Sequence, residues 1–448
     1  MTTVFVITAI AALVWGLVFF LHAGLLGTAT AVLLTGSVFG YEFFHVRMSP
    51  MPVTVDRLLF AVMAGQYLVW RRWGLTDPKP MTRADWTLLV FLGWVFLRAV
   101  TPGNELPALP RFVLCHFMPL GVYWVVRQTR LTKRADRAVL VTFVVLAVYL
   151  CLTAIAEYLQ LWWMVYPRHI YTAENTEFLG RARGPFLNPV SNGIAIGFGW
   201  LCALPLWFRA DFRRRVILGM LMPLFAVGIL LTLTRCVWLG ALGALFVLLL
   251  MLLPGRRQLG LIVVTGFLGL VVLLTQWERL MTFKRDVHLS AEEAARSVEL
   301  RPLLAVLAWK VFLDHPVAGC GLCQYDAVAR YYAFDRKTGL PLEQARTFTQ
   351  HNVFLSLLTE TGIIGMSLFV AVLWLWFREG WKLWYDKRKP PWMRRHGMLL
   401  IGMLVMYVVN GMFHDLSQIM TANTYLFYAA GLAMNRRLVR APASTPRE

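Results

Sequence analysis

The chain alternates long apolar runs with short polar breaks, and the runs have the length of a bilayer crossing, which takes about 20 residues of helix. Candidate spans fall at 3–21, 24–45, 55–70, 86–100, 111–126, 136–160, 189–208, 216–233, 235–253, 258–277, 352–377, 396–412 and 419–435. The polar break over 22–30 is weak, so the first pair counts as one span or two, and the total is 12 or 13. The opening stretch MTTVFVITAIAALVWGLVFF has no basic leader and no small-residue cleavage site, and is expected to be a retained helix. The pattern predicts an all-α, polytopic integral membrane protein. It divides into a first bundle over 1–277, a large loop over 278–350, the last spans over 351–436 and a short tail over 437–448.

Composition narrows the class. Of 448 residues, 58% are hydrophobic and only 15% charged, which argues against a soluble multidomain enzyme and against a disordered chain. Six cysteines are too few for a disulfide framework. The net charge of +20 would suggest nucleic acid in a soluble protein, but its distribution says otherwise. The connections 71–85, 127–137, 209–215, 254–258 and 378–396 and the tail 435–448 hold 26 basic and 7 acidic residues. All six fall on one side of the predicted bundle, which the positive-inside rule makes cytoplasmic. The basic excess is a topology signal, and no nucleic-acid partner is expected.

The opposite face carries 161–188, a turn at 234–235, the segment 278–350 and a turn around His414. Segment 278–350 is 73 residues long, with ten basic and nine acidic residues, too long for a simple connection. Ser290-Ala-Glu-Glu293 reads as a capping box, Pro302 as a helix start, and LLAVLAWKVFL at 303–313 as a helix lying on the bundle or the lipid interface. His315-Pro316 and Gly319-Cys-Gly321 then turn the chain. A partly helical cap over the outer face is expected.

Polar groups at membrane depth are the functional candidates. His351, in QHNVFLSLLTETGIIG, stands at the outer end of a long span, and helical steps below it reach Gly362 and Gly365. On that reading it points into the bundle above a close helix crossing. Its imidazole fits a general base at neutral pH, and equally a structural histidine tied to the loop. Arg235 opens a span with a small-residue face at Gly240, Gly243 and Ala244, and fits either an anion ligand or a side chain snorkelling to headgroups. Arg181 and Arg183, in GRARGPFLNP, precede Asn188-Pro189, a cap and first-turn pair whose helix directs its positive dipole end toward them. Arg296 and Arg301 in the cap complete a set of guanidiniums suited to phosphate. Each alone reads as a solvated charge; their gathering on the less basic face is the stronger signal. There is no H-E-x-x-H, G-x-S-x-G or Walker motif, and no D-x-D or E-x-D pair to hold a divalent ion. Cys320-Gly-Leu-Cys323 reads as a turn that contains two cysteines; a redox pair or a disulfide is the alternative, and zinc lacks further ligands.

His351-Asn352, nine residues, then Gly362-x-x-Gly365 resembles the signature of bacterial O-antigen ligases, whose superfamily includes O-antigen polymerases and pilin O-oligosaccharyltransferases. The resemblance extends to TRCVWLG at 234–240, GRARGPFLNP at 180–189 and RPLLAVLAWKVFLDHPVAGCGL at 301–322, and so spans most of residues 180–420. It implies a GT-C-like, polyprenyl-linked glycosyltransferase of the bacterial inner membrane that works at the periplasmic face without cofactor or metal. The donor would be O-antigen on undecaprenyl diphosphate and the acceptor lipid A–core oligosaccharide. Carried over, His351 would be the essential histidine, Arg235 and Arg301 the essential arginines, and Asp415 an acidic residue near the last outer turn. Arg181, Arg183 and Arg296 are added from charge and position alone.

Two rivals follow. A polymerase or pilin oligosaccharyltransferase would run the same chemistry on another acceptor; the short tail after the last span favours the ligase. A lipid-linked-glycan flippase would bind without chemistry, but such transporters show repeated halves, and none is visible here.

Overall fold

The computed structural model describes residues 22–46, 51–101, 108–172, 178–281, 291–332, 339–345 and 349–435. The predicted span 3–21, the tail 437–448, Ser290 and the side chain of Arg296 lie outside the described residues. Each of the twelve remaining predicted spans is a helix. In chain order they are α1 (Gly24–Val38), α2 (Val55–Arg72), α3 (Arg83–Ala99), α4 (Ala108–Arg127), α5 (Lys133–Tyr158), α6 (Pro189–Trp207), α7 (Phe212–Leu231), α8 (Arg235–Leu252) and α9 (Gly255–Met281). After α10 (Ala291–Asp314) and α11 (Tyr325–Tyr332) come α12 (Val353–Tyr385), α13 (Pro391–Gly411) and α14 (Met420–Met434). By length and composition six of them, α4 to α8 and α12, can cross a membrane, and α1 is a shorter apolar helix. A two-residue antiparallel ladder pairs His45–Val46 with Val53–Thr54.

Burial follows the charge pattern. α6 is enclosed on nearly all sides and carries the core: Phe198 packs on Phe143 of α5 and Tyr425 of α14, with ring centroids 4.8 and 4.9 Å apart. The hydroxyls of Tyr425 and Tyr428 are each 2.7 Å from a hydroxyl of α1, on Ser37 and Thr30, so these buried polar groups tie α1 to the centre. Gly240 of α8 lets Asn410 and the Met406 carbonyl of α13 come close; an added Cβ would lie 2.5 Å from Asn410 Nδ2. α7 and α9 expose Ile217, Met220, Val227, Ile262, Val263 and Phe267, the apolar surface expected against acyl chains. At the end remote from His351, charges are buried in pairs: Asp85 with Arg127 at 2.8 Å, and Asp136 with Arg209 at 2.6 Å and His396 at 2.9 Å.

The segment between α9 and α12 has its own small core, in which Leu304, Leu307, Ala308 and Val311 of α10 pack with Tyr325 and Ala329 of α11. Pro302, expected to begin a helix, instead sits inside α10, which is already helical from Ala291.

The Gly362 motif has a different cause from the expected helix crossing. α12 breaks at Gly362, whose φ is +70° and ψ −172°. An added Cβ would sit 2.1 Å from the Val317 carbonyl oxygen, because the turn 315–321 docks into the break. The orphaned backbone groups find partners there: Ile363 N–H donates to Pro316 O at 2.9 Å, Thr359 O accepts from Cys320 N–H at 2.8 Å, and Glu360 O accepts from Gly321 N–H at 3.1 Å. Broken helix is tolerated at membrane depth only when its groups are satisfied in this way. α3 braces the break, with Trp94 Nε1 donating to Thr361 O (2.9 Å) and Arg98 to Gly319 O (3.1 Å).

Gly362→Ala must therefore both hold a positive-φ backbone essentially confined to glycine, at a cost of about 1–3 kcal/mol, and displace the docked turn. A large fall in thermal midpoint in detergent is expected. Gly65→Ala, where nothing lies within 4 Å of the added Cβ, should change the midpoint little.

Candidate active site

The centre of the His351 end is the turn between α13 and α14, residues 412–418. It is held from several elements at once. Asn352 Nδ2 donates to Met412 O at 3.0 Å, and Arg301 Nη1 donates to Phe413 O at 3.0 Å. The rings of His351 and His414 meet edge to face at 6.2 Å. Asp415 accepts from both the N–H and the hydroxyl of Ser417, starting a short 3-10 turn over Leu416–Gln418. Arg111 of α4 donates to Gln418 Oε1, and Asn423 Nδ2 to Ser417 O at 3.2 Å and to Cys115 O at 3.0 Å.

His351 lies before α12, not on it, so the helical stripe drawn from it to Gly362 does not exist. Its backbone is left-handed, with φ +47°. Both neighbours are fixed: Gln350 Nε2 donates to Thr359 Oγ1 at 2.9 Å, and Asn352 caps α12, accepting from Phe354 and Leu355 N–H at 2.9 and 3.1 Å. A non-glycine residue held in this region by flanking hydrogen bonds is a mark of functional sites. The half-buried imidazole is directed to His414.

Arginines gather beside it. Arg301 lies over the Phe413 ring at 5.7 Å, next to His414. Arg181 is buried, stacks on Phe178 at 5.0 Å and donates to Thr234 Oγ1 at 2.6 Å and Thr232 O at 3.3 Å, so it fastens its loop to the turn that opens α8. Arg235 follows that turn directly, half-buried. The side chain of Cys236, the next residue, feels the charges of both Arg301 and Arg181. Arg181, bonded to Thr234, and Arg301 thus both approach the start of α8, where Arg235 lies.

Arg183 does not join them. Its side chain is 1% exposed and turns to Glu157 of α5, with Nε 3.4 Å from Oε1 and Nη2 donating to Ile170 O at 2.6 Å. The same carboxylate accepts from Arg183 and Gly184 N–H, each at 3.1 Å. A buried acid sets this guanidinium to holding the loop; position in sequence could not reveal its partner. The expected cap and first-turn pair does form, Asn188 Oδ1 accepting from Val190 and Ser191 N–H at 2.9 and 3.1 Å.

Asp415 is buried inside the turn, where it accepts from Ser417. Burial raises its carboxyl above the usual range, while the hydrogen bonds from Ser417 and Ser356 and the Arg111 charge pull it down. Cys320 and Cys323 are free thiols, both pushed up to about 12 by burial. Among the described residues, no three of His, Cys, Asp or Glu gather as metal ligands. Two residues of this end escaped the sequence reading: Arg111, which opens a predicted span, and Glu360, which lies inside one. They line a cavity of about 320 Å³ with Gln350, Cys323, Asp326 and Gln418. Charge at the end of a span or within it was the signal that could have found them.

The sequence model of a family described as O-Antigen ligase matches residues 220–370. That stretch contains Arg235, Arg301, His351, Gly362 and Gly365, so the resemblance read from the histidine motif holds across it. The family covers ligases and related polymerases and oligosaccharyltransferases, glycosyl-transfer enzymes of lipid-linked glycans. No curated protein matches the chain.

Arg183→Met strands the buried Glu157 and should lower stability by about 3–5 kcal/mol, whereas adding Glu157→Gln should recover most of that loss. Thermal melts of the two variants check this. Asp415 titrates higher in the folded protein than in the unfolded chain, so its contribution favours folding below the unfolded value and is lost as pH rises through the folded one. The midpoint of Asp415→Asn, measured relative to the unmodified protein, should therefore rise between pH of about 4 and neutrality.

Proposed function

We propose that this O-antigen ligase family protein joins a glycan carried on undecaprenyl diphosphate to lipid A–core oligosaccharide at the periplasmic face of the bacterial inner membrane. The supporting observation is that His351, through His414 and Phe413, stands beside Arg301, while Arg181 is bonded to the turn that opens α8 just before Arg235. A base and a cluster of cations at one end of the helices are what transfer from a lipid diphosphate requires. On this reading the protein has twelve or thirteen spans in a GT-C-like arrangement, with the segment 278–350 as the cap of the site.

The acceptor hydroxyl is a weak nucleophile until its proton is taken, and His351 takes it as the oxygen attacks the anomeric carbon. The new carbon–oxygen bond forms as the bond to the diphosphate breaks, from the opposite face, so the anomeric configuration inverts. The leaving diphosphate gains charge, and Arg301, Arg235 and Arg181 stabilise it without a metal. Arg183, tied to Glu157, shapes the loop that carries Arg181. Asp415 acts through the turn, by fixing Ser417 and hence the backbone next to His414.

Purified protein given the lipid-linked donor and lipid A–core should form joined product, and a chelator should leave the rate unchanged. Loss of activity with chelator and its return with a divalent ion would sink the metal-free step. His351→Ala should retain donor binding while transfer falls by about 100- to 10,000-fold. Arg301→Gln should reduce kcat/KM for the donor on the order of 100-fold. Product from lipid-linked repeat units in preference to lipid A–core would assign the protein to the polymerases instead.

A further inference from the structure

A second cavity, of about 280 Å³, lies between α1, α2, α4 and α14 and reaches the 412–418 turn at Gln418. Its polar lining includes Arg57, Arg111, Asp56 and Tyr41; Leu33 and Met420 belong to its apolar part. Arg111 and Gln418 line this cavity and also the one beside Gln350, so their hydrogen bond stands between the two.

The half-buried cations here differ from three arginines elsewhere in the bundle. Arg127, Arg183 and Arg209 each have a carboxylate partner. Among the described residues neither Arg57 nor Arg111 is ion-paired, and the enclosed Nε of Arg57 has no hydrogen-bond partner. Arg57 spends one donor on Pro52 O, and the one acid of the cavity, Asp56, is bonded by Thr54 Oγ1. Two guanidiniums against one engaged carboxylate suit an anion. The neighbouring cavity shares Arg111 but adds Glu360 and Asp326, a lining that repels phosphate and suits sugar hydroxyls. α2, the wall that carries Arg57, exposes Leu58 and Val62 on its surface, so the cavity borders the expected lipid face.

We propose that the Arg57–Arg111 cavity is a second anion site, seating a phosphate of the lipid-anchored acceptor while its sugars pass the Arg111–Gln418 constriction toward Gln350 and His351. This rests on the ligase reading, in which the Arg301 group is occupied by the donor diphosphate. Each substrate then has its own cations, bonded to different residues of one turn.

The test is equilibrium binding to the full chain in phosphatidylcholine nanodiscs. The probes are lipid A–core with its phosphates, the same lipid after phosphatase, undecaprenyl diphosphate and phosphatidylglycerol. The unmodified protein should bind the phosphorylated acceptor about 10-fold more tightly than the dephosphorylated one. Arg57→Gln and Arg111→Gln should each erase that difference, and Arg57→Gln should leave undecaprenyl diphosphate binding unchanged. Gln418→Glu, which gives Arg111 an internal partner and removes no cation, should act the same way and guards against misfolding of the arginine variants. The proposal is overturned if the preference survives in all three variants, if undecaprenyl diphosphate is the ligand lost, or if phosphatidylglycerol competes as well as the acceptor. Transfer is scored separately. Phosphate-dependent binding without joined product would overturn the ligase reading and keep the site; joined product without that dependence would do the reverse.

Discussion

The turn between α13 and α14 is the constraint on which this end of the protein depends. Seven residues, 412–418, accept hydrogen bonds from α4, α10, α14 and the residue that caps α12. Backbone carbonyls do most of this work, so the arrangement tolerates side-chain change in the turn better than any shift of its backbone. It sets Phe413 against Arg301, His414 against His351 and Gln418 against Arg111. On the proposed reading, a displacement of about 1 Å would separate the groups that align for transfer.

The broken helix is the second half of the same device. Docking of the turn 315–321 into the gap at Gly362 links the α10–α11 segment to the outer end of α12, and the residues just before α12 are Gln350 and His351. The segment that brings Arg301 and the one that brings His351 are thus fixed to each other at two places, at Gly362 and at Phe413. Rigidity of this kind lets guanidiniums act on developing charge without reorganising.

Much of the fold was legible because lipid imposes a simple rule. Apolar length set the helix positions: all twelve described spans are helical, with ends displaced by a few residues, and by more where α1 stops at Val38 and α12 continues to Tyr385. Arg181, Arg235 and Arg301 were legible as charges on a sparsely basic face. What sequence periodicity could not show was anything that depends on a partner distant in the chain. Arg183 looks like Arg181 until Glu157, 26 positions earlier, is found beneath it. Gly362 looks like a packing glycine until the turn at Val317 is seen to enter the helix. Arg111 looks like the polar margin of a span until Gln418, 307 positions away, accepts its hydrogen bond.

The most direct test of the central claim is a cryo-EM map of the protein with undecaprenyl diphosphate bound. The account predicts phosphorus density against Arg301, Arg235 and Arg181, with the imidazole of His351 facing the sugar-bearing end. Diphosphate density between Arg57 and Arg111, with the Arg301 group empty and His351 distant from the ligand, would contradict it.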